Sequence, residues 1–159
     1  MLSPILLTNN PRFQDLSLTG MDITFIPECP AAVIRAARDL IHKGWLLANH
    51  PLYGNFLPHQ MPYRSLALTP RVRSGEHPVG IDPTSLLLIE RAQARYYDVD
   101  PARMPASLSD REMQDCAFVD VELLRATIES LGGSIESISN PNGSGMAYPP
   151  GLLPDHKEM

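Results

Sequence analysis

Cysteine is almost absent: Cys29 and Cys116 are the only two in 159 residues. A pair so far apart matches neither a disulfide-built secreted scaffold nor a zinc-binding spacing, and no CxxC accompanies either thiol. Reduced thiols in the cytoplasm are the expected state. The five histidines, His42, His50, His59, His77 and His156, form no HxxxH or HExxH pair, so a metal site built on them is not expected. No GxSxG marks a hydrolase nucleophile, and Gly132-Gly133 closes a helical pattern where a phosphate-binding glycine loop would have to open one. No run approaches the roughly 18 apolar residues of a membrane span. The amino end, Met1 to Asn10, lacks the cationic start and long apolar stretch of a secretory leader. These features predict a cytoplasmic protein without cofactor, clear of membranes.

Charge is scarce and leans acidic. Thirteen Lys and Arg against eighteen Asp and Glu give a net charge of -5, a field that repels nucleic-acid phosphates. The basic residues are uneven, however: Arg35, Arg38, Lys43, Arg64, Arg71 and Arg73 meet only Asp39 between residues 35 and 75. That stretch suits a small anion or an acidic partner; its plainer reading is solvated surface. Apolar residues are 43% of the chain, enough for a globular core, and the length allows one domain.

What is abundant is proline, with sixteen residues that punctuate the pattern. Pro4 to Leu7 reads as a strand stopped by Thr8-Asn9-Asn10-Pro11, because a proline ring disfavours helix at the preceding residue. Residues 12 to 18 read as a helical turn. Asp22 to Ile26 alternates as a second strand. Pro30 then opens a helix whose Val33, Ala37, Leu40 and Ile41 recur at helical spacing to Gly44, and Trp45 to Asn49 follows as a third strand. Strand, helix, strand at this length predicts parallel pairing. A loop of about fourteen residues, broken by Pro51, Gly54, Pro58 and Pro62, leads to a strand at Arg64 to Leu68.

Asp82-Pro83 opens a second helix with a broad apolar face. Ser109 and Glu112 have capping-box spacing for a third, whose stripe Met113, Ala117, Val121, Leu124, Ile128 and Leu131 is long enough to cross a small domain. The expectation is an α/β fold, a three-layer sandwich of about four mostly parallel strands with helices on both faces. The first helix covers one face and the other two the rest. Residues 1–133 form the single domain, and 134–159 a flexible C-terminal tail.

The strongest candidate site is the loop His50-Pro51-Leu52-Tyr53-Gly54, continuing to Pro62-Tyr63-Arg64-Ser65. Three prolines lower its unfolded entropy and let it hold a shape. If the first and third strands are parallel, Thr8, Asn9 and Asn10 leave the sheet at the same edge, where open α/β sheets bind ligands. Ligand-binding residues are therefore expected among Thr8, Asn9, Asn10, His50, Pro51, Gly54, Tyr63, Arg64 and Ser65. Asn9, Asn10 and Ser65 would be hydrogen-bond partners, Arg64 a charge clamp for carboxylate or phosphate, and His50 a loop anchor or proton donor. The alternative is that these groups lock the loops to one another. Cys29, at a helix start, reads as a small buried residue, and Cys116 as packed.

The blocks Leu7 to Pro11, Arg38 to Gly44, His50 to Asn55, Pro58 to Ser65 and Asp82 to Glu90, and more loosely Asp115 to Leu124, resemble the GrdX family in order and spacing. The likeness covers about residues 5 to 130. The resemblance implies a small bacterial protein encoded with the glycine, sarcosine and betaine reductase machinery, with a reductase-complex protein as candidate partner. It implies no catalytic residues. His59-Gln60-Met61 departs from the family's polar, acidic stretch, so no carboxylate role transfers to that loop. The combined expectation is an accessory or regulatory protein binding a small anionic ligand or a partner through residues 8–10 and 50–65. A small enzyme using His50 in the same pocket, or a purely structural adaptor, stand as alternatives.

Overall fold

The computed structural model describes residues 2–71, 80–97 and 108–137. Its elements are β1 (Ile5–Thr8), a 3₁₀ turn (Pro11–Gln14), β2 (Leu16–Thr19), β3 (Asp22–Phe25), α1 (Pro30–His42), β4 (Trp45–Leu47), β5 (Ser65–Pro70), α2 (Pro83–Tyr97), α3 (Asp110–Ser130) and β6 (Ser134–Ser137). A second 3₁₀ turn, Tyr53–Asn55, lies in the proline-rich loop.

The main sheet has the order β3-β1-β5-β4. Only β1 and β3 pair in parallel; β1 with β5 and β4 with β5 are antiparallel. The expected mostly parallel sheet therefore becomes a mixed one. The cause lies in residues 50–63: parallel neighbours need a crossover, usually helical, whereas this proline-broken stretch turns the chain back beside the strand it has just left. Strands β3 and β4 flank α1 and point the same way, but they stand at opposite edges of the sheet. The carboxyl ends of β1, β3 and β4 thus share one edge with the amino end of β5.

Alternation along β1 and β5 divides the core. Leu7, Leu66 and Leu68 pack with Val33, Ile34, Ala37 and Ile41 of α1 and Ile89 and Ala92 of α2. Leu6 and Ala67 pack instead with Phe13, Met21, Val121, Leu124 and Ile128, the last three from α3. Burying each large aliphatic side chain contributes about 1.5–3 kcal/mol. The second helix joins the first, rather than sharing a face with the third as its sequence position suggested. Arg38 of α1 ties the two together through Glu90 at 2.5 Å.

Helix ends follow local chemistry. Pro30 occupies the first turn of α1, and Gly44 at φ 91° stops it in the left-handed region. Asp82 accepts the Ser85 amide at 2.7 Å to open α2. The Ser109–Glu112 capping box opens α3.

A small second sheet pairs β2 with β6 antiparallel. Leu16 to Thr19 therefore forms a strand where a helical turn was expected, and Ser134–Ser137, the first four residues of the expected tail, are paired. The remainder of that tail lies outside the described residues. A side chain on Gly20, at φ 79°, would meet the Gly132 carbonyl at 2.8 Å, so the turn after β2 and the end of α3 touch backbone to backbone.

Candidate functional site

Thr8, Asn9, Asn10, Arg64 and Ser65 meet at the shared sheet edge, where all five are buried. The β1–β5 register places Thr8 opposite Ser65, and their hydroxyls stand 2.6 Å apart. Ser65 Oγ donates to Asp120 Oδ2 at 2.7 Å, so the Thr8 hydroxyl is the donor to Ser65. Thr8 Oγ1 in turn accepts the Asn10 amide at 3.0 Å. The chain of protons runs from the β1 backbone inward to one carboxylate.

Asp120, fully buried on α3, is the centre of this network and was not anticipated from sequence. It accepts from Ser65 Oγ, from Asn10 Nδ2 at 2.9 Å and from the Tyr53 hydroxyl in a short contact. Tyr53 also accepts the Ser65 amide at 2.8 Å. Burial first, then the Asp120 carboxylate, push the Tyr53 phenol well above its ordinary value, while Arg64 pulls it down. Tyr53 therefore keeps its proton at neutral pH and is a donor.

Both amide hydrogens of each expected asparagine are committed within the protein. Asn10 Nδ2 donates to the Ala117 carbonyl as well as to Asp120, and its Oδ1 accepts from the Arg12 amide. Asn9 Nδ2 donates to the Glu28 and Pro62 carbonyls, each at 3.0 Å, while its Oδ1 accepts the Arg64 amide at 2.7 Å. Asn49, also unanticipated, extends the ladder beyond β4, donating to the Ser65 carbonyl and accepting from the Ala67 amide. Such saturation fixes the loops against the sheet.

Arg64 differs. Its side chain is wholly buried, and the guanidinium carbon lies 4.8 Å from the centre of the Tyr53 ring. Nη1 donates to the Tyr53 carbonyl at 3.1 Å, and Nε to the Tyr96 hydroxyl at 3.2 Å. Nη2 is buried with no hydrogen-bond partner among the described residues. Burial raises the Tyr96 phenol, and Arg64 partly offsets this, so Tyr96 is also protonated near neutrality. The signal for Asp120 was present in the α3 pattern, three residues after Ala117 and one before Val121, which puts a carboxylate on the buried stripe. No comparable signal marks Tyr53 and Tyr96, whose roles arise from contacts across the fold.

The other expected residues make no hydrogen bond to Nη2. His50 is exposed, and its Nδ1 accepts the Leu52 amide at 3.1 Å. Pro51 is buried, and Gly54 is exposed at φ 78°, where a side chain would strike Leu123. Tyr63 packs with Met61 and Ala117 and is raised mainly by burial. Cys29 is exposed at the start of α1, contrary to the buried position expected; no packing against the core holds it, since Pro30 takes the first buried position. Cys116 is half-buried, which raises its thiol. Arg35 reaches Glu28 at 3.9 Å, a surface pair, as is Arg38 with Glu90. Among the described residues no three His, Cys, Asp or Glu side chains cluster to hold a metal ion, and no helix is long and apolar enough to cross a membrane.

A family model described as GrdX-like protein matches residues 5–129. No curated protein and no solved structure matches the chain.

Proposed function

The chain belongs to the GrdX-like family, and from that premise we propose an accessory or regulatory binding protein that holds a small anion at Arg64. One observation carries the reading: a fully buried guanidinium whose Nη2 has no partner among the described residues. Buried polar groups left unpaired cost about 1–3 kcal/mol, more for charged ones, so a native fold that keeps one has a use for it. An anion on Nη2 would supply the missing hydrogen bonds and the opposing charge. Thr8, Asn9, Asn10, Ser65 and Asp120 then act as the frame that fixes β1, β5 and the 50–65 loop around Arg64. The reductase-complex partner implied by the family resemblance would read the loaded or empty state at that loop. Free thiols at Cys29 and Cys116 agree with work in the cytoplasm. The rival acid–base role for His50 gains nothing from the geometry: the imidazole is exposed, and the hydrogen bond it makes, Nδ1 accepting the Leu52 amide, lies outside the network around Arg64 and Asp120.

A thermal-shift screen against amino acids, acyl phosphates, nucleotides and inorganic anions tests the reading, with Arg64→Gln alongside. A ligand at 100 times its Kd stabilises the fold by about 2.7 kcal/mol. An anion that raises Tm of the native chain and not of Arg64→Gln is the expected result. A panel without any stabilising anion, or a shift that survives the substitution, would overturn it.

A further inference from the structure

We infer that the anion at Arg64 is a small monocarboxylate, held by Nη2 and the Tyr96 hydroxyl, rather than a phosphate or sulfate; this rests on the anion-binding reading above. Nη2 is the amino group on the same side of the guanidinium as Nε, and Nε donates to Tyr96. The Tyr96 oxygen therefore sits beside Nη2, and because it accepts from Nε its own proton is available to a ligand. Two neighbouring donor groups match the two oxygens of one planar carboxylate.

A tetrahedral oxyanion fits the same place poorly. Its remaining oxygens would need donors, and the amide hydrogens of Asn9 and Asn10 are already held by Glu28, Pro62, Ala117 and Asp120. Unpaired oxygens taken out of water weaken binding. Charge points the same way. Arg64 is the one buried cation among the described residues, while the buried Asp120 carboxylate lies at the far end of the Tyr53 ring that covers Arg64. A second negative charge on the ligand would meet that carboxylate with no second buried cation among the described residues to offset it. Nη2 is closed off from solvent while Tyr96 beside it is partly exposed, so entry of the carboxylate requires the Tyr96 side chain to shift.

Calorimetric titration of the native chain and of Tyr96→Phe with sodium acetate and with sodium phosphate, at matched ionic strength, tests the assignment. Tyr96→Phe removes one hydroxyl from a partly exposed position and with it the acceptor of Arg64 Nε; its Tm in chloride checks that the fold persists. Acetate is expected to bind the native chain and to bind Tyr96→Phe about tenfold more weakly, the loss of one charge-assisted hydrogen bond. Phosphate is expected to bind at least tenfold more weakly than acetate. Phosphate binding as tightly as acetate would overturn the carboxylate assignment while leaving an anion site at Arg64. Equal acetate affinity in Tyr96→Phe would overturn the placement beside Nη2. Silence from both anions would overturn this inference and the anion-binding reading together.

Discussion

Replacing Asp120 by alanine removes the acceptor shared by Asn10 Nδ2, Ser65 Oγ and the Tyr53 hydroxyl. All three contacts lie at or near the buried edge where α3 meets β1 and β5, so water cannot simply take the place of the carboxylate. Each donor left unpaired costs about 1–3 kcal/mol, and breaking a buried charged network typically costs about 3–5 kcal/mol in total. Against a domain stability of about 5–15 kcal/mol this is a large fraction. With a urea dependence of about 2 kcal/mol per molar, the unfolding midpoint should fall by about 1.5–2.5 M. Asp120→Asn retains one acceptor oxygen and should fall by roughly half as much. Urea titrations followed by far-ultraviolet circular dichroism measure both. A midpoint for Asp120→Ala within about 0.5 M of the native value, at an unchanged slope, would refute the claim that this carboxylate organises the edge.

Other perturbations read neighbouring parts of the account. Gly20→Ala puts a Cβ 2.8 Å from the Gly132 carbonyl at φ 79°, whereas Gly132→Ala at φ 81° meets nothing within 4 Å. The first should lose more than about 2 kcal/mol and the second about 1 kcal/mol, the left-handed penalty alone; equal melting temperatures would deny the contact between β2 and the end of α3. The Tyr53 phenol is raised above its ordinary 10.0, so the folded state keeps a proton that the unfolded state releases. That contribution is complete below about pH 10 and is lost as pH rises through the folded value, so stability should fall more steeply with rising pH above about 10 in the native chain than in Tyr53→Phe. Parallel slopes would contradict the buried, protonated phenol.

The sequence carried the helices well because their signals are local and redundant. Pro30 with Gly44, Asp82 with Pro83, and Ser109 with Glu112 each mark an end chemically, and the apolar spacing between them is long. Strand direction was not legible in the same way. Trp45–Leu47 and Ser65–Pro70 read as strands under either pairing, and only the reversal through residues 50–63 makes them antiparallel. Leu16 to Thr19 alternates over four residues, too few to separate a strand from a helical turn until β6 supplies its partner more than a hundred residues later.

At the site, the residue types of Thr8, Asn9, Asn10, Arg64 and Ser65 pointed to one polar edge, and the β1–β5 register does bring them together. What the pattern could not give was the allocation of their hydrogen bonds. Asn9 and Asn10 have the chemistry of ligand donors, yet both amides are committed to carbonyls and a carboxylate contributed by distant segments. Of these five, among the described residues, Arg64 retains a buried donor without a partner, and that depends on the Tyr53 carbonyl and the Tyr96 hydroxyl taking up Nη1 and Nε.

The anion contact itself can be observed on the guanidinium. With ¹⁵N-arginine labelling, Arg64→Lys identifies the Arg64 side-chain resonances by their loss, and sodium acetate is titrated at constant ionic strength. A saturable shift of the Arg64 Nη signals is expected, while exposed guanidinium groups such as those of Arg35 and Arg125 stay near their starting values. An Arg64 signal that does not move, or that drifts linearly in step with the exposed arginines, would contradict an anion site at this residue.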